Sequence, residues 1–330
     1  MTGLYFDQRW CHQHGIGRFA AEVRRRLCGW QDLPIHGYPT DPWDAVKLSA
    51  CLSKRRARWF FSPGFNVPVW AKCRVVCTVH DLIHVRYPQC RSSVTLAYYR
   101  WLQRPVVRRS PLTLTVSEFS RQQIIQWYGV DEDRVVCVGN GVSEEFHLAG
   151  PAIQSERPFF LYVGNTRPHK NLDVLLKALT RVDKEAVLVM VLKSTSALDQ
   201  QLRSLGLAER VKVVSNLSDT QLACYYRAAI ATILPSHFEG FGLPLVEAMA
   251  CGCPVIAANR TSIPEVVGDA GILFDADDSD ELAEAMRDFL TGSADRDTAV
   301  ERGLQQAQRF AWEDVTRRVQ HALATAMESN

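Results

Sequence analysis

No run of eighteen or more apolar residues occurs in the 330, so no segment is expected to cross a membrane as a helix. The opening MTGLYFDQRW lacks a basic stretch followed by an apolar one, so export is not expected. Ten cysteines are present, but none forms a Cys-x-x-Cys pair, which argues against zinc-ribbon and thioredoxin-like chemistry. Several lie in apolar runs such as CRVVCTV, where a thiol behaves as a small buried hydrophobe, and the set fits a reducing cytosol. No internal repeat of solenoid period is found. What is there is globular: 47% hydrophobic and 22% charged.

The length suits two domains of about 150 residues each. The overall charge of +2 hides an asymmetry. Residues 1–150 hold 20 Lys and Arg against 12 Asp and Glu; residues 151–330 hold 18 against 24. A basic half beside an acidic half suggests that the two meet different partners. Both halves alternate strand and helix signals. In the first, Leu4–Phe6, 74–79, 112–116 and 135–138 read as strands. Residues 15–28 and 94–107 read as helices, and Ser117 caps a third. Residues 149–158, with Gly150, Pro151 and Pro158, read as the linker. The second half alternates more cleanly, from a strand at 159–163 to a final helix near 312–327. Apolar strands between helices predict an α/β fold of two Rossmann-like domains with parallel sheets facing across a cleft, where ligands bind.

The stretch HFEGFGLPLVEAMA, residues 237–250, is the most informative. A strand should end near Leu234. The loop Glu239-Gly240-Phe241-Gly242 then lets backbone approach a ligand, and a helix opens at Leu243 with Pro244 in its first turn. The unpaired N–H groups of that helix start form a ready phosphate site. Glu247 lies one turn in. One carboxylate can hold sugar hydroxyls and the other ribose hydroxyls. From the residues alone, an ordinary surface loop with two solvated glutamates is an equal reading.

Glu239 and Glu247 match the E-x7-E pattern of retaining GT-B glycosyltransferases, and the run from Leu234 to Asp275 resembles family 4, which includes many bacterial mannosyltransferases. Other segments agree in order: Gly15-Ile-Gly-Arg-Phe19, Thr78-Val-His-Asp-Leu82, Thr115 to Arg121, Gly139 to Val142, and Tyr162 to Asn171. The resemblance is weakest over 29–70. It implies an acceptor-binding first domain (1–150), a nucleotide-sugar domain (151–312), and a C-terminal helix, about 313–330, returning to the first.

The resemblance also implies site roles. Glu239 would hold donor sugar hydroxyls beside the backbone of Gly240, Phe241, Gly242 and Leu243. Glu247 would hold the ribose. Lys170 would neutralise the diphosphate, the counter-charge that a metal supplies elsewhere. Asn165 stands where some members carry an arginine, with Arg167 as its substitute. Gly15 and Gly17 would lie near donor phosphates and acceptor, with Arg18 beside them. His80 would face the donor sugar, although a histidine ending a buried strand is often only a core residue, and Asp81 would orient the loop. No metal or other cofactor is implied. The donor most resembles that of GDP-mannose enzymes of O-antigen or other surface polysaccharides, with UDP- and dTDP-sugars open. An epimerase of the same architecture and a non-catalytic carbohydrate-binding relative are the other classes. A nicotinamide dehydrogenase is disfavoured because Gly15-Ile-Gly17 lacks the third glycine.

Two Asp-x-Asp strings, at Asp131–Asp133 and Asp275–Asp277, read better as helix caps than as metal ligands. Tyr98, Tyr99 and Trp101 interleave with Arg91, Arg100, Arg104, Arg108 and Arg109. With Arg24–Arg26 and 54–58 this reads first as a solvated surface. As a functional reading, it would dock a cytoplasmic enzyme on the inner face of an anionic membrane, near a lipid-linked acceptor. No nucleic-acid motif accompanies the charge.

Overall fold

The protein is described by a computed structural model over residues 3–12, 15–90 and 92–328. It divides into two units, 1–141 with 312–330, and 142–311.

The first unit is built on six parallel strands: β1 (Leu4–Phe6), β2 (Gln31–Asp32), β3 (Trp59–Ser62), β4 (Arg74–Thr78), β5 (Leu112–Thr115) and β6 (Val135–Cys137). Their order is β2-β1-β3-β4-β5-β6. β3 to β5 are mostly buried and apolar, as strands covered on both faces must be. The helix Ile16–Arg26 buries Phe19, Ala20 and Val23. The helix Trp312–Glu328 packs against it: Phe19 and Trp312 rings lie 6.3 Å apart, and Arg26 pairs with Glu313 at 2.7 Å. A Cβ at Gly141 would stand 2.4 Å from the Trp312 indole, so glycine is required there.

The second unit has β7 (Phe159–Val163), β8 (Val187–Val191), β9 (Val211–Val214), β10 (Thr232–Leu234), β11 (Val255–Ala258) and β12 (Gly271–Phe274), ordered β12-β11-β10-β7-β8-β9 and all parallel. Chain order runs outward from β7 through β8 and β9, then restarts at β10 on the other side. The strand order therefore reverses between β7 and β10, where the connecting helices leave on opposite faces and a crevice opens. In the first unit the same reversal falls between β1 and β3.

The structure departs from the sequence expectation in three respects. β2, β3 and the helix Asp44–Lys54 occupy the weakly patterned 29–70 stretch. The helix expected over 94–107 is broken into α-helical ends around a π-helical turn, Tyr98–Gln103. The units divide at 141/142 rather than 150/151. Residues before the expected linker belong to the second unit because the Arg227 guanidinium donates to the carbonyls of Glu145, His147 and Pro151.

Candidate functional site

The loops after β7 and β10 meet on the carboxyl edge of the second sheet. Lys170 ends a short 3-10 turn, Pro168–Lys170, and Nζ donates to Glu239 Oε1 at 2.6 Å. Their side chains are 12% and 13% exposed. Asn171 holds the junction. It adopts φ +53, and its Nδ2 donates to the carbonyls of Pro235 (3.0 Å) and Ala276 (2.7 Å). The His237 N–H donates to His169 O at 2.8 Å, tying one loop to the other.

Glu239 is held from β11 as well. Its N–H donates to Thr261 Oγ1 at 3.1 Å, and Ser262 Oγ donates to the carbonyls of Glu239 (3.0 Å) and Phe241 (3.1 Å). Gly242, at φ +105, turns the chain into the helix Leu243–Ala250, a conformation open to glycine at little cost. Pro244 sits in the first turn, the Leu245 N–H donates to Gly242 O at 3.0 Å, and no side chain caps the start. Glu247, one turn in, is only 4% exposed, and the buried Tyr226 hydroxyl donates to its Oε2 at 2.9 Å. That carboxylate raises the Tyr226 pKa, second to burial itself. Asn165 and Arg167 are both exposed. Asn165 Oδ1 accepts the Arg167 N–H at 3.0 Å, so the asparagine shapes the turn that presents the arginine.

The remaining expected residues lie in the first unit. Gly15, φ +72, precedes the helix Ile16–Arg26, and a Cβ at Gly17 would come within 3.0 Å of Trp10 O. Arg18 lies in that helix. His80 follows β4; Nε2 donates to Pro63 O at 2.9 Å and the ring meets Phe19 edge-on at 5.1 Å. Burial pushes its pKa down to about 4, against the opposing pull of the Pro63 carbonyl, so the ring is neutral at pH 7 and Nδ1 can accept a hydrogen bond. Asp81 Oδ1 accepts the Ile83 N–H at 2.9 Å, bracing the loop.

Two expectations change. Asp275 and Asp277 both pair with Arg260 at 3.1 Å, and Asp278 caps the following helix instead. Asp131 stands at the start of a 3-10 turn but makes no side-chain capping bond. Part of the basic, aromatic face is paired within its own unit. Arg24 pairs with Asp32, and Arg25 and Arg26 with Glu22. Arg104 lies over Trp127 at 5.7 Å, Arg108 donates to Tyr128 O at 2.6 Å, and Tyr99 is buried. Arg91 lies outside the described residues. Tyr226, Thr261, Ser262 and Asn171 were missed by sequence reasoning; only the Asn171 glycine-like turn left a trace, in the Lys170-Asn171 text.

Two doubly wound units, each on six parallel strands, are the architecture of a GT-B glycosyltransferase. The comparisons agree. Residues 143–306 match the family described as glycosyl transferases group 1, and residues 10–146 match glycosyltransferase family 4. O-antigen chain mannosyltransferase B of Escherichia coli is 31% identical over 296 residues, covering 82% of this chain and 77% of its own. A serotype-specific mannosyltransferase of Escherichia coli is 29% identical over 280 residues, and this chain spans 33% of its length. Among solved structures, sucrose-phosphate synthase from Thermosynechococcus elongatus superposes with a TM-score of 0.75 at 20% identity, covering 91% of this chain and 84% of its own. Anabaena HepE in complex with UDP gives 0.73 at 18% identity, covering 98% and 100%. The chain belongs to the group 1, family 4 glycosyltransferases.

Proposed function

We propose that this glycosyltransferase moves mannose from GDP-mannose to a hydroxyl of a glycan or lipid-linked glycan acceptor during assembly of an O-antigen-like surface polysaccharide. Transfer retains configuration and needs no metal. The observation that carries the reading is the 2.6 Å Lys170–Glu239 pair beside the uncapped start of the helix Leu243–Ala250. A lysine at that edge supplies a fixed positive charge to a leaving diphosphate, and the helix N–H groups add partial charge. Glu239 exchanges its lysine for donor hydroxyls, with Gly240, Phe241 and Gly242 presenting backbone N–H groups. Glu247, oriented by Tyr226, takes the ribose. Arg167 reaches the phosphates from the turn that Asn165 shapes. The acceptor hydroxyl attacks from the face the diphosphate leaves, and a donor phosphate oxygen takes its proton. His80 accepts a hydrogen bond from the donor sugar through Nδ1. Mannose and the polysaccharide setting are supported by the names of the relatives. The enzyme works in the cytoplasm, in peripheral contact with the membrane that carries a lipid-linked acceptor.

Calorimetric titration with GDP and with UDP, in chelator, tests this. The reading expects GDP to bind and UDP to bind at least tenfold more weakly, about 1.4 kcal/mol. Preference for UDP would overturn the donor assignment, and binding only on addition of a divalent cation would overturn the metal-free mechanism.

A further inference from the structure

The loop after β3, residues 63–66, touches two candidate site elements of the first unit at once. On one side the Pro63 carbonyl meets His80 Nε2 at 2.9 Å. A carbonyl oxygen only accepts, so the proton of the neutral ring stands on Nε2 and Nδ1 keeps its lone pair. Pro63 therefore sets the tautomer on which the proposed contact of His80 to the donor sugar depends. On the other side lies Trp10, in the 3-10 turn Gln8–His12 between β1 and the helix Ile16–Arg26. A Cβ at Gly64 would stand 2.3 Å from the Trp10 indole, so the ring is seated directly on the loop. The Trp10 carbonyl, in turn, packs on Gly17 at the start of that helix.

Asn66 fixes this loop. Its side chain is buried, and its amide makes every bond open to it. Oδ1 accepts from Trp10 Nε1 at 2.6 Å and from Ser62 Oγ. Nδ2 donates to Asp7 Oδ2 at 3.0 Å and to Asp44 Oδ2 at 3.2 Å. An indole N–H only donates and a carboxylate only accepts, so no other orientation of the amide satisfies these partners. Arg9 binds both carboxylates, at 2.7 Å and 2.5 Å, which leaves Asn66 as the neutral member between two carboxylates and one cation. Ser62 Oγ shares its proton between Asn66 and Gly64 O, at 3.0 Å from the latter, and accepts the Gly64 N–H at 3.3 Å, closing the turn around Pro63. A leucine at 66 would leave four partners unmet, and an aspartate would set three carboxylates around one guanidinium. A fully satisfied buried network of this kind specifies one arrangement of the loop.

We propose that Asn66 is a positioning residue for sugar transfer: through the 63–66 loop it holds the Pro63 carbonyl that keeps His80 as the Nε2–H tautomer, and through Trp10 it holds the turn that leads to Gly15 and Gly17. This rests on the role given to His80 above. The test combines GDP release from GDP-mannose with mannobiose as acceptor, GDP titration, and nitrogen-15 NMR of the histidine rings, on wild type, Asn66→Asp, Ser62→Ala and His80→Gln. His80→Gln identifies the ring's signals among those of the nine histidines. Far-UV circular dichroism shows which variants are folded. Asn66→Asp keeps the shape of the side chain and removes both donor bonds. It should lower kcat by at least about tenfold, change GDP affinity by less than about threefold, and move the His80 signals from Nε2–H alone to a mixture of tautomers. Ser62→Ala leaves every charge in place and should give the same pattern at smaller size; it carries the test if Asn66→Asp does not fold. Adding Asp7→Asn to Asn66→Asp restores the carboxylate count and should recover part of both the rate and the tautomer. His80 signals unchanged in the folded variants overturn the inference even where kcat falls, because a general loss of packing lowers the rate without moving the ring proton. So does a kcat within about threefold of wild type in folded Asn66→Asp. If that happens while His80→Gln is inactive, the inference about Asn66 falls alone; if His80→Gln is fully active, the role of His80 falls and takes it along.

Discussion

Replacing Glu239 by Gln keeps the side chain's size and removes the charge that holds Lys170. The ammonium lies 2.6 Å from Oε1 with both side chains mostly buried. At that separation two unit charges attract by about 6 kcal/mol at an effective dielectric of 20, and desolvation offsets most of it. The pair is therefore a poised contact that a diphosphate can take over. On the proposed mechanism, the contact of Glu239 to the donor sugar strengthens as the glycosidic bond breaks. Losing one such positioned contact costs about 3–4 kcal/mol, so kcat should fall by about 10²–10³. Nucleotide binding should move the other way. With no carboxylate competing for the ammonium, GDP should bind about fivefold tighter, a net gain of ~1 kcal/mol. Nucleotide release under steady state gives kcat, and calorimetry gives Kd. A folded variant with kcat within threefold of wild type would refute the reasoning. A parallel loss of kcat and GDP affinity would do so too, by making Glu239 a strut for its loop.

Lys170→Met should weaken GDP by about 10² and flatten the dependence of Kd on salt; unchanged affinity would assign the phosphate to other groups. Tyr226→Phe should raise the donor KM about tenfold with little change in kcat, because it frees the Glu247 carboxylate to rotate. His80 titrates near 4 in the fold and near 6.5 unfolded, so its contribution is whole above pH 6.5 and is lost as pH falls toward 4. Urea midpoints should show about 2 kcal/mol lost between pH 7 and pH 5, and His80→Phe should remove that part of the slope. Arg9→Met leaves Asp7 and Asp44 buried together and should cost about 3–5 kcal/mol, partly restored by Asp7→Asn. A loss under 1 kcal/mol would show the network to be solvated.

The sequence was most legible where each element repeats one period cleanly. Phe159–Val163, Leu243–Ala250 and Trp312–Glu328 fall where apolar spacing and turn residues place them. It was least legible over 29–70. β2 is two exposed residues with no apolar pattern, and β3 is four residues behind the basic run KRRAR, too short to show a period. Glu239 and Lys170 were readable because the motif around each is local. Tyr226, Ser262 and Asn171 were not, since their partners lie 21 to 105 residues away and only the β10-β7 and β10-β11 pairings bring them together. The helical break within the aromatic and basic interleaving at 98–109 was not legible either. Tyr99 and Gln103 turn into the core on the π-helical turn, where plain helical spacing does not place them.

The most direct measurement is release of GDP from GDP-mannose by the purified protein in chelator, with a mannose-terminated acceptor, in wild type and Lys170→Met. The account predicts acceptor-dependent release that chelation leaves intact and the variant loses by at least about 10². Wild-type protein that binds GDP yet releases none from GDP-mannose with acceptor present would contradict it.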